Sequence, residues 1–281
     1  MPIQPIMESN TNVQRLLHYL KSWVISGMDA SLSTVRAIGE YTDSPCDWIQ
    51  DHADSKTDIV FLQTPLVGKP PFLDLGHQLE QIHRDANSRG NQCELILESP
   101  TIQTKKKLVQ FGAVLRHSFT ALACQSKSAP RNNLEFIPVG TSETAQAIAI
   151  QNTVSILHPT VESRIQNGIS NQILHRSMNA QCKQFFVKNS ESVFATVTIH
   201  FEFPRQLSPL AGIHDLFVST NSRKQGYGKQ ILRTAIGSIH EQTGCRTTCI
   251  VFANNNVIPF YAEQGFKPVS HFQRWLLKFQ T

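Results

Sequence analysis

The chain has 281 residues, 40% of them hydrophobic and 17% charged, the balance of a packed globular protein with room for one large or two ordinary domains. Its formal net charge of +5 suits an anionic ligand but is too small and too evenly spread to argue for nucleic acid, and no nucleic-acid partner is expected. There is no window of about 18 apolar residues, and the opening Met1-Pro2-Ile3-Gln4-Pro5 has no basic segment leading into an apolar one, so neither a membrane span nor a signal peptide is expected, and a cytoplasmic setting is.

In chain order, Val13, Leu16, Leu17, Leu20, Trp23 and Val24 follow helical spacing. An apolar strand is expected over 58–62, a helix over 75–86, a strand over 94–98, a helix over 101–111 and a strand near 118–124. The stretch 125–133, QSKSAPRNN, is polar, contains a proline and lacks periodicity, so it is expected to link two domains, 1–124 and 134–281. In the second half, strands are expected over 134–139, 184–187, 193–203, 213–218, 248–252 and 272–279. Helices are expected over 143–155, 161–177, 229–242 and 257–264, with a hairpin turn at 188–192. The pattern gives an α/β protein of the α+β kind. The cysteines Cys46, Cys93, Cys124, Cys182, Cys245 and Cys249 are scattered, and His77, His83 and His117 do not cluster, so reduced thiols and no metal are expected.

After the strand ending at Val218 the chain reads Ser219-Thr220-Asn221-Ser222-Arg223-Lys224-Gln225-Gly226-Tyr227-Gly228-Lys229, and a helix opens. The first amides of a helix lack intrahelical partners and carry the positive end of its dipole. Glycines there let a phosphate approach the backbone, and Arg223, Lys224 and Lys229 add charge. The spacing fits neither a P-loop nor a dinucleotide fingerprint, because Gly226-x-Gly228 is followed by Ile231 where a third glycine would stand. Further on, Asn254 is followed seven residues later by Tyr261, then by Gly265-Phe266.

Arg223-x-x-Gly226-x-Gly228 after a strand resembles the pyrophosphate loop of the GNAT family of acyltransferases. Asn254, Tyr261 and Gly265-Phe266 match the family's spacing, and Asp215-Leu216-Phe217-Val218 looks like its strand before the loop. The resemblance covers 134–278, about half the chain, and implies a central mixed sheet flanked by helices. It also implies acetyl-CoA as co-substrate and transfer of acetyl to a primary amine of a small molecule or peptide.

On that likeness two parallel strands part to admit the pantetheine arm. Leu216, Phe217 and Val218 would offer backbone groups to it, an N–H near Leu216 polarising the thioester carbonyl. The stretch from Arg223 through Lys224, Gln225, Gly226, Tyr227 and Gly228 to Lys229 would hold the pyrophosphate. Tyr261 would protonate the leaving thiolate as general acid. Asn254 would hydrogen-bond the pantetheine, cap the following helix, or do both. Histone-type relatives carry a Glu where this chain has Gly212, so that base is missing; His214, on Gly212's face unless a bulge intervenes, and Glu202 are the other candidates, beside a water or no base at all. A non-catalytic acyl-CoA sensor is the competing expectation.

The first half has no such loop; its glycine turn Val67-Gly68-Lys69-Pro70-Pro71 places prolines where amide donors would be needed. Its end, ELILE at 94–98, LVQFGAV at 108–114 and a strand near 119–124, looks like the second half's strand, helix, Gly-Phe turn and closing strand. Gly112 then takes the place of Gly265, and Leu108 that of Tyr261. A tandem arrangement follows as an expectation, beside an unrelated α/β domain as the alternative for 1–124: a degenerate GNAT-like copy without acyl-CoA binding, shaping the acceptor site or a homodimer interface, then an active copy.

Overall fold

The computed structural model describes residues 75–88, 92–129, 133–139, 163–189, 192–202, 209–243 and 247–277, with shorter pieces at 15–16, 19–20, 23, 33–37, 46–51, 57–62, 90, 150, 153–155 and 157–158. The strands are β1 (Ser33–Ala37), β2 (Cys46–Asp51), β3 (Thr57–Leu62), β4 (Gln92–Glu98), β5 (Ala113–Gln125), β6 (Glu135–Pro138), β7 (Cys182–Lys188), β8 (Val193–Glu202), β9 (Leu210–Val218), β10 (Thr248–Ala253) and β11 (Lys267–Leu277). The helices are α1 (Leu75–Ser88), α2 (Ile102–Gln110), α3 (Ser163–Met178), α4 (Tyr227–Thr243) and α5 (Ile258–Ala262), with a 3-10 turn at Thr220–Ser222. This is the mixed α/β fold expected. The glycine turn at 67–71 and the expected helix over 143–149 lie outside the described residues.

The chain divides into two compact units. The first holds Met1–Ala121, Ala253–Ile258 and Pro268–Thr281. Its strands run in the order β1-β2-β3-β4-β11, followed by the first part of β5. β3 and β4 are parallel, while β11 runs antiparallel to β4 from Phe272 opposite Glu98 to Leu277 opposite Cys93. Leu79, Ile82 and Ala86 on α1 and Leu108 on α2 bury against Val60, Leu62, Leu95, Leu97, Trp275 and Leu277. These helical positions recur every three or four residues, as an amphipathic helix on a sheet requires. Thr101 caps α2, its hydroxyl accepting from the Thr104 amide at 3.1 Å. Leu16, Tyr19, Leu20 and Trp23 are helical and buried, in keeping with the period read from the sequence.

The second unit holds Leu122–Phe252 and Pro259–Lys267. From the end of β5 its order is β5-β10-β9-β8-β7-β6. β9 and β10 are parallel and the pairs from β9 to β6 are antiparallel. Ile231, Leu232, Ala235, Ile236 and Ile239 form the buried stripe of α4. Ile173 of α3 packs with Ile150 and Val154.

Two features depart from a division at 125–133. The closing strand, expected to end the second domain, belongs with the first unit because its backbone bonds go to β4. The start of the expected linker is docked: Ser126 is buried and donates its N–H to the Thr247 carbonyl at 2.8 Å, and Gln125 donates to Thr248 at 3.2 Å. Ala129 lies so close to Gly237 of α4 that a Cβ there would stand 2.6 Å from the Ala129 Cβ. At the expected hairpin turn the Asn189 N–H donates to the Ser192 carbonyl at 3.2 Å. Cys93, Cys124, Cys182 and Cys249 are buried free thiols.

β4-α2-β5 and β10-α5-β11 share the expected local pattern. In each, a glycine with positive φ follows the helix, Gly112 at +77° and Gly265 at +92°. Each glycine N–H donates three residues back at 3.0 Å, to Val109 and Ala262 respectively. Such left-handed glycines are the ordinary way to end a helix. Leu108, at the position of Tyr261, is fully buried.

Candidate active site

The site is built where β9 leaves β10. Their parallel register runs from Leu210 opposite Thr248 to Gly212 opposite Ile250, and goes no further among the described residues. β9 continues to Val218 and β10 to Ala253, so the two strands part beyond Gly212 and Ile250. Beyond that point no backbone ladder joins the two strands among the described residues, and parted strands offer their edges to a ligand or water.

β9 is also bulged. Thr198 lies opposite His214 but Thr196 lies opposite Phe217, so Asp215 and Leu216 together face Val197. Asp215 has φ of +49°. The bulge comes after His214, so Gly212, His214 and their partners His200 and Thr198 share one face, as simple alternation requires. The Phe217 ring stacks on the His158 imidazole with centroids 4.0 Å apart, and the Arg223 guanidinium lies 5.3 Å from its centre. Nothing in the sequence pattern marks His158; only its place after the helical residues 153–155 and 157 brings it to β9.

The loop after Val218 is tightly folded. Ser219 donates its N–H to the Phe194 carbonyl at 2.8 Å, Ser222 donates to the Ser219 carbonyl at 2.9 Å, and Arg223 Nε donates to the Val218 carbonyl at 2.9 Å. Lys224 and Gly226 have φ of +63° and +81°. The Gly226 carbonyl accepts the first helical bond, from the Gln230 N–H at 3.2 Å, so Gly226 stands at the cap of α4. Having no side chain, it cannot satisfy the amides of Tyr227, Gly228 and Lys229, which stay available to an anion. Gln225 is turned back to the Asn221 carbonyl at 3.1 Å, and Lys229 is paired with Glu263 at 2.7 Å. Arg223 and Lys224 therefore supply the loop's most accessible charge. The Tyr227 ring packs 4.6 Å from that of Phe194, fixing the first turn of α4.

A Cβ on Gly228 would stand 3.5 Å from the Phe260 ring, so the first turn of α4 abuts α5. Phe260 meets Tyr261 edge-on at 5.0 Å, and Tyr261 meets Phe266 edge-on at 5.6 Å. The Tyr261 carbonyl accepts from the amides of Gln264 at 2.9 Å and Phe266 at 3.2 Å, anchoring its short helix through the turn at Gly265. Burial pushes the Tyr261 phenol up to about 12, so it holds its proton throughout the physiological range. Asn254 is exposed, its carbonyl accepting from the Val257 N–H at 3.1 Å. α5 begins at Ile258, so Asn254 sits a turn ahead of the helix and not at its cap.

The candidate bases lie at different depths. His214 is buried, 6.4 Å from His200 and 6.0 Å from Phe252, centroid to centroid. Burial first, then the charges of His200 and Arg176, hold it well below the ordinary imidazole range. Glu202 is buried opposite Leu210, six residues from Leu216 and so about 20 Å along the strand. Among the described residues no three His, Cys, Asp or Glu side chains gather as a metal site, and no helix is long and apolar enough to cross a membrane.

Residues 155–266 match the model of the Acetyltransferase (GNAT) family. No curated protein matches the chain. Among solved structures, the chain is similar to a GCN5-related N-acetyltransferase from Kribbella flavida, 12% identical over 95% of each chain with a TM-score of 0.63. It is also similar to a tandem GNAT protein from the clavulanic acid biosynthesis pathway, 10% identical over 92% of this chain and 88% of that one, with a TM-score of 0.57. A GCN5-related N-acetyltransferase from Sphaerobacter thermophilus is 11% identical over 82% and 76%, with a TM-score of 0.53. At such identities the likeness is one of fold. Parted parallel strands, a capless helix start behind Arg223, and the matched sequence agree: residues 155–266 are a domain of the GNAT acetyltransferase family.

Proposed function

We propose that the protein is an acyl-CoA-dependent N-acyltransferase that moves acetyl from acetyl-CoA to a primary amine of a small molecule or peptide. The observation that carries this reading is the parting of β9 and β10 directly before the Arg223–Gly228 loop. One open backbone edge and one anion site lie end to end along a strand, as a pantetheine arm and its pyrophosphate need. The co-substrate brings the activated thioester; the chain's own residues bind, orient and move protons. The amides of 227–229, with Arg223 and Lys224, hold the pyrophosphate, and the Leu216–Val218 backbone faces the arm. Asn254, exposed ahead of α5, donates to the arm from the other parted strand.

The phenol of Tyr261 carries the proton for the departing thiolate. Of the two side-chain bases, His214 suits the amine's proton better: it is two residues from Leu216 and neutral near pH 7, whereas Glu202 sits at the far end of the strand pair. Positioning of the two reactants supplies the remainder. Residues 1–124, with Leu108 in the place of the phenol, serve as a degenerate copy that binds no acyl-CoA and shapes the acceptor site or a homodimer contact.

The test is thiol release from acetyl-CoA in the presence of amines, amino acids, aminoglycosides and lysine peptides. Release with one acceptor class, abolished by Gly226→Glu, is the expected result. Binding of acetyl-CoA with no release across the panel would move the assignment to a sensor.

A further inference from the structure

Asp215 occupies a left-handed backbone conformation, φ +49°, that a residue with a Cβ adopts only when its surroundings hold it there. Two elements hold it. From α3, Arg176 Nη1 donates to Asp215 Oδ2 at 2.6 Å. From β8, the Thr198 hydroxyl donates to the same oxygen at 3.1 Å, and the Thr196 hydroxyl donates to the Asp215 backbone carbonyl at 3.0 Å. The Arg176 side chain is only 10% exposed and that of Asp215 39%, so the pair is partly withdrawn from solvent. A regular strand would have no use for this convergence. Here it sets the place and angle of the bulge, and the bulge sets where the peptide units of Leu216 and Phe217 point.

We infer that Arg176 and Asp215, with Thr196 and Thr198, are positioning residues that aim the Leu216–Val218 backbone at the acyl carbonyl of the co-substrate. The inference rests on the acyl-CoA reading above. The binding loop at 223–229 does not depend on these side chains, so affinity for the CoA portion and orientation of the acyl group are separable. Removing the clamp lets β9 relax toward a regular strand, and the N–H that polarises the carbonyl swings away.

The experiment compares wild type with Arg176→Met/Asp215→Gly, which removes both charges together and leaves glycine at the positive φ. Calorimetry gives the Kd for CoA, infrared spectroscopy of carbonyl-labelled acetyl-CoA gives the stretch of the bound thioester, and initial rates give kcat. The expected result is a CoA Kd within about threefold of wild type. The carbonyl stretch returns toward its free-solution value, and kcat falls by roughly tenfold or more. Should that variant fold poorly, Thr196→Val removes only the donor to the Asp215 carbonyl, and a smaller displacement in the same direction is expected. An unchanged carbonyl stretch and kcat, with CoA affinity intact, overturns the positioning role. Failure of wild type to bind CoA or acetyl-CoA at all overturns the acyl-CoA reading, and this inference with it.

Discussion

The imidazole of His158 stacks on the ring of Phe217, centroids 4.0 Å apart, with Arg223 near the same ring. One aromatic side chain thus joins the segment before α3 to the end of β9 and to the first cation of the loop. Burial, and secondarily the charge of Arg223, hold His158 below the ordinary imidazole range, so it is neutral at pH 7. Because its pKa is lower folded than unfolded, stability is retained above about 6.5 and lost as pH falls below it. His158→Ala is expected to destabilise the protein by about 1 kcal/mol at pH 7, the usual worth of a ring pair. Urea denaturation at pH 7 and pH 5.5 measures both the loss and a weaker acid sensitivity in the variant.

Gly226 and Gly228 should respond differently to alanine. At Gly226 a Cβ would meet nothing within 4 Å, but φ is +81°, so Gly226→Ala costs about 1 kcal/mol of backbone strain and weakens acetyl-CoA binding. At Gly228, inside α4, a Cβ would make ordinary contact with Phe260 at 3.5 Å. Gly228→Ala should therefore fold as well as wild type or slightly better, helped by about 0.5–1 kcal/mol of helix propensity, and still lose cofactor affinity because a methyl stands over the exposed amides. Paired melting curves and binding titrations separate the two.

Tyr261→Phe is expected to lower kcat by about a hundredfold, in the range of lost general acid catalysis, with the acetyl-CoA Kd unchanged. The phenol loses its proton only near pH 12, so wild type should show no basic limb from this group below about pH 10. Its folded pKa lies above the unfolded value of 10, so its contribution to stability is complete below pH 10 and is lost as pH rises through 12. A pH–rate profile with an alkaline limb near pH 8 that vanishes in the variant would assign the limb to Tyr261 and contradict this.

His200 is lowered to about 4 by burial and by Arg176, and His214 is held well below the ordinary imidazole range by burial, His200 and Arg176. Both are neutral in the fold and protonate readily once unfolded. Stability is therefore present above about pH 6.5 and falls as pH drops toward 4, as each imidazole charges in the unfolded chain first. Arg176 and the other imidazole face each of them, and the Phe252 ring lies beside His214. His200→Gln should flatten the stability curve between pH 6.5 and 4, read by chemical denaturation at several pH values.

The stripe of α4 and the glycines at 226 and 265 announce themselves in the sequence, because a helix on a sheet repeats every three to four residues and left-handed turns select glycine. Strand existence is readable for β3 through β11 from runs of apolar residues. β1 and β2, STVRA and CDWIQD, carry too little apolar pattern to stand out. The partner of β11 was not readable at all: pairing with β4 spans about 180 residues, and no local pattern encodes so distant a register. The bulge escaped for a related reason. Its cause is an arginine 39 residues away, and Asp215 looks like any polar residue in an alternating strand.

One acyl-CoA is expected to bind, at the loop behind β9. Calorimetric titration of the chain with acetyl-CoA should give a single site per chain, lost in Gly226→Glu while the melting temperature stays within a few degrees of wild type. Two equivalent sites, or binding that survives Gly226→Glu unchanged, would contradict it.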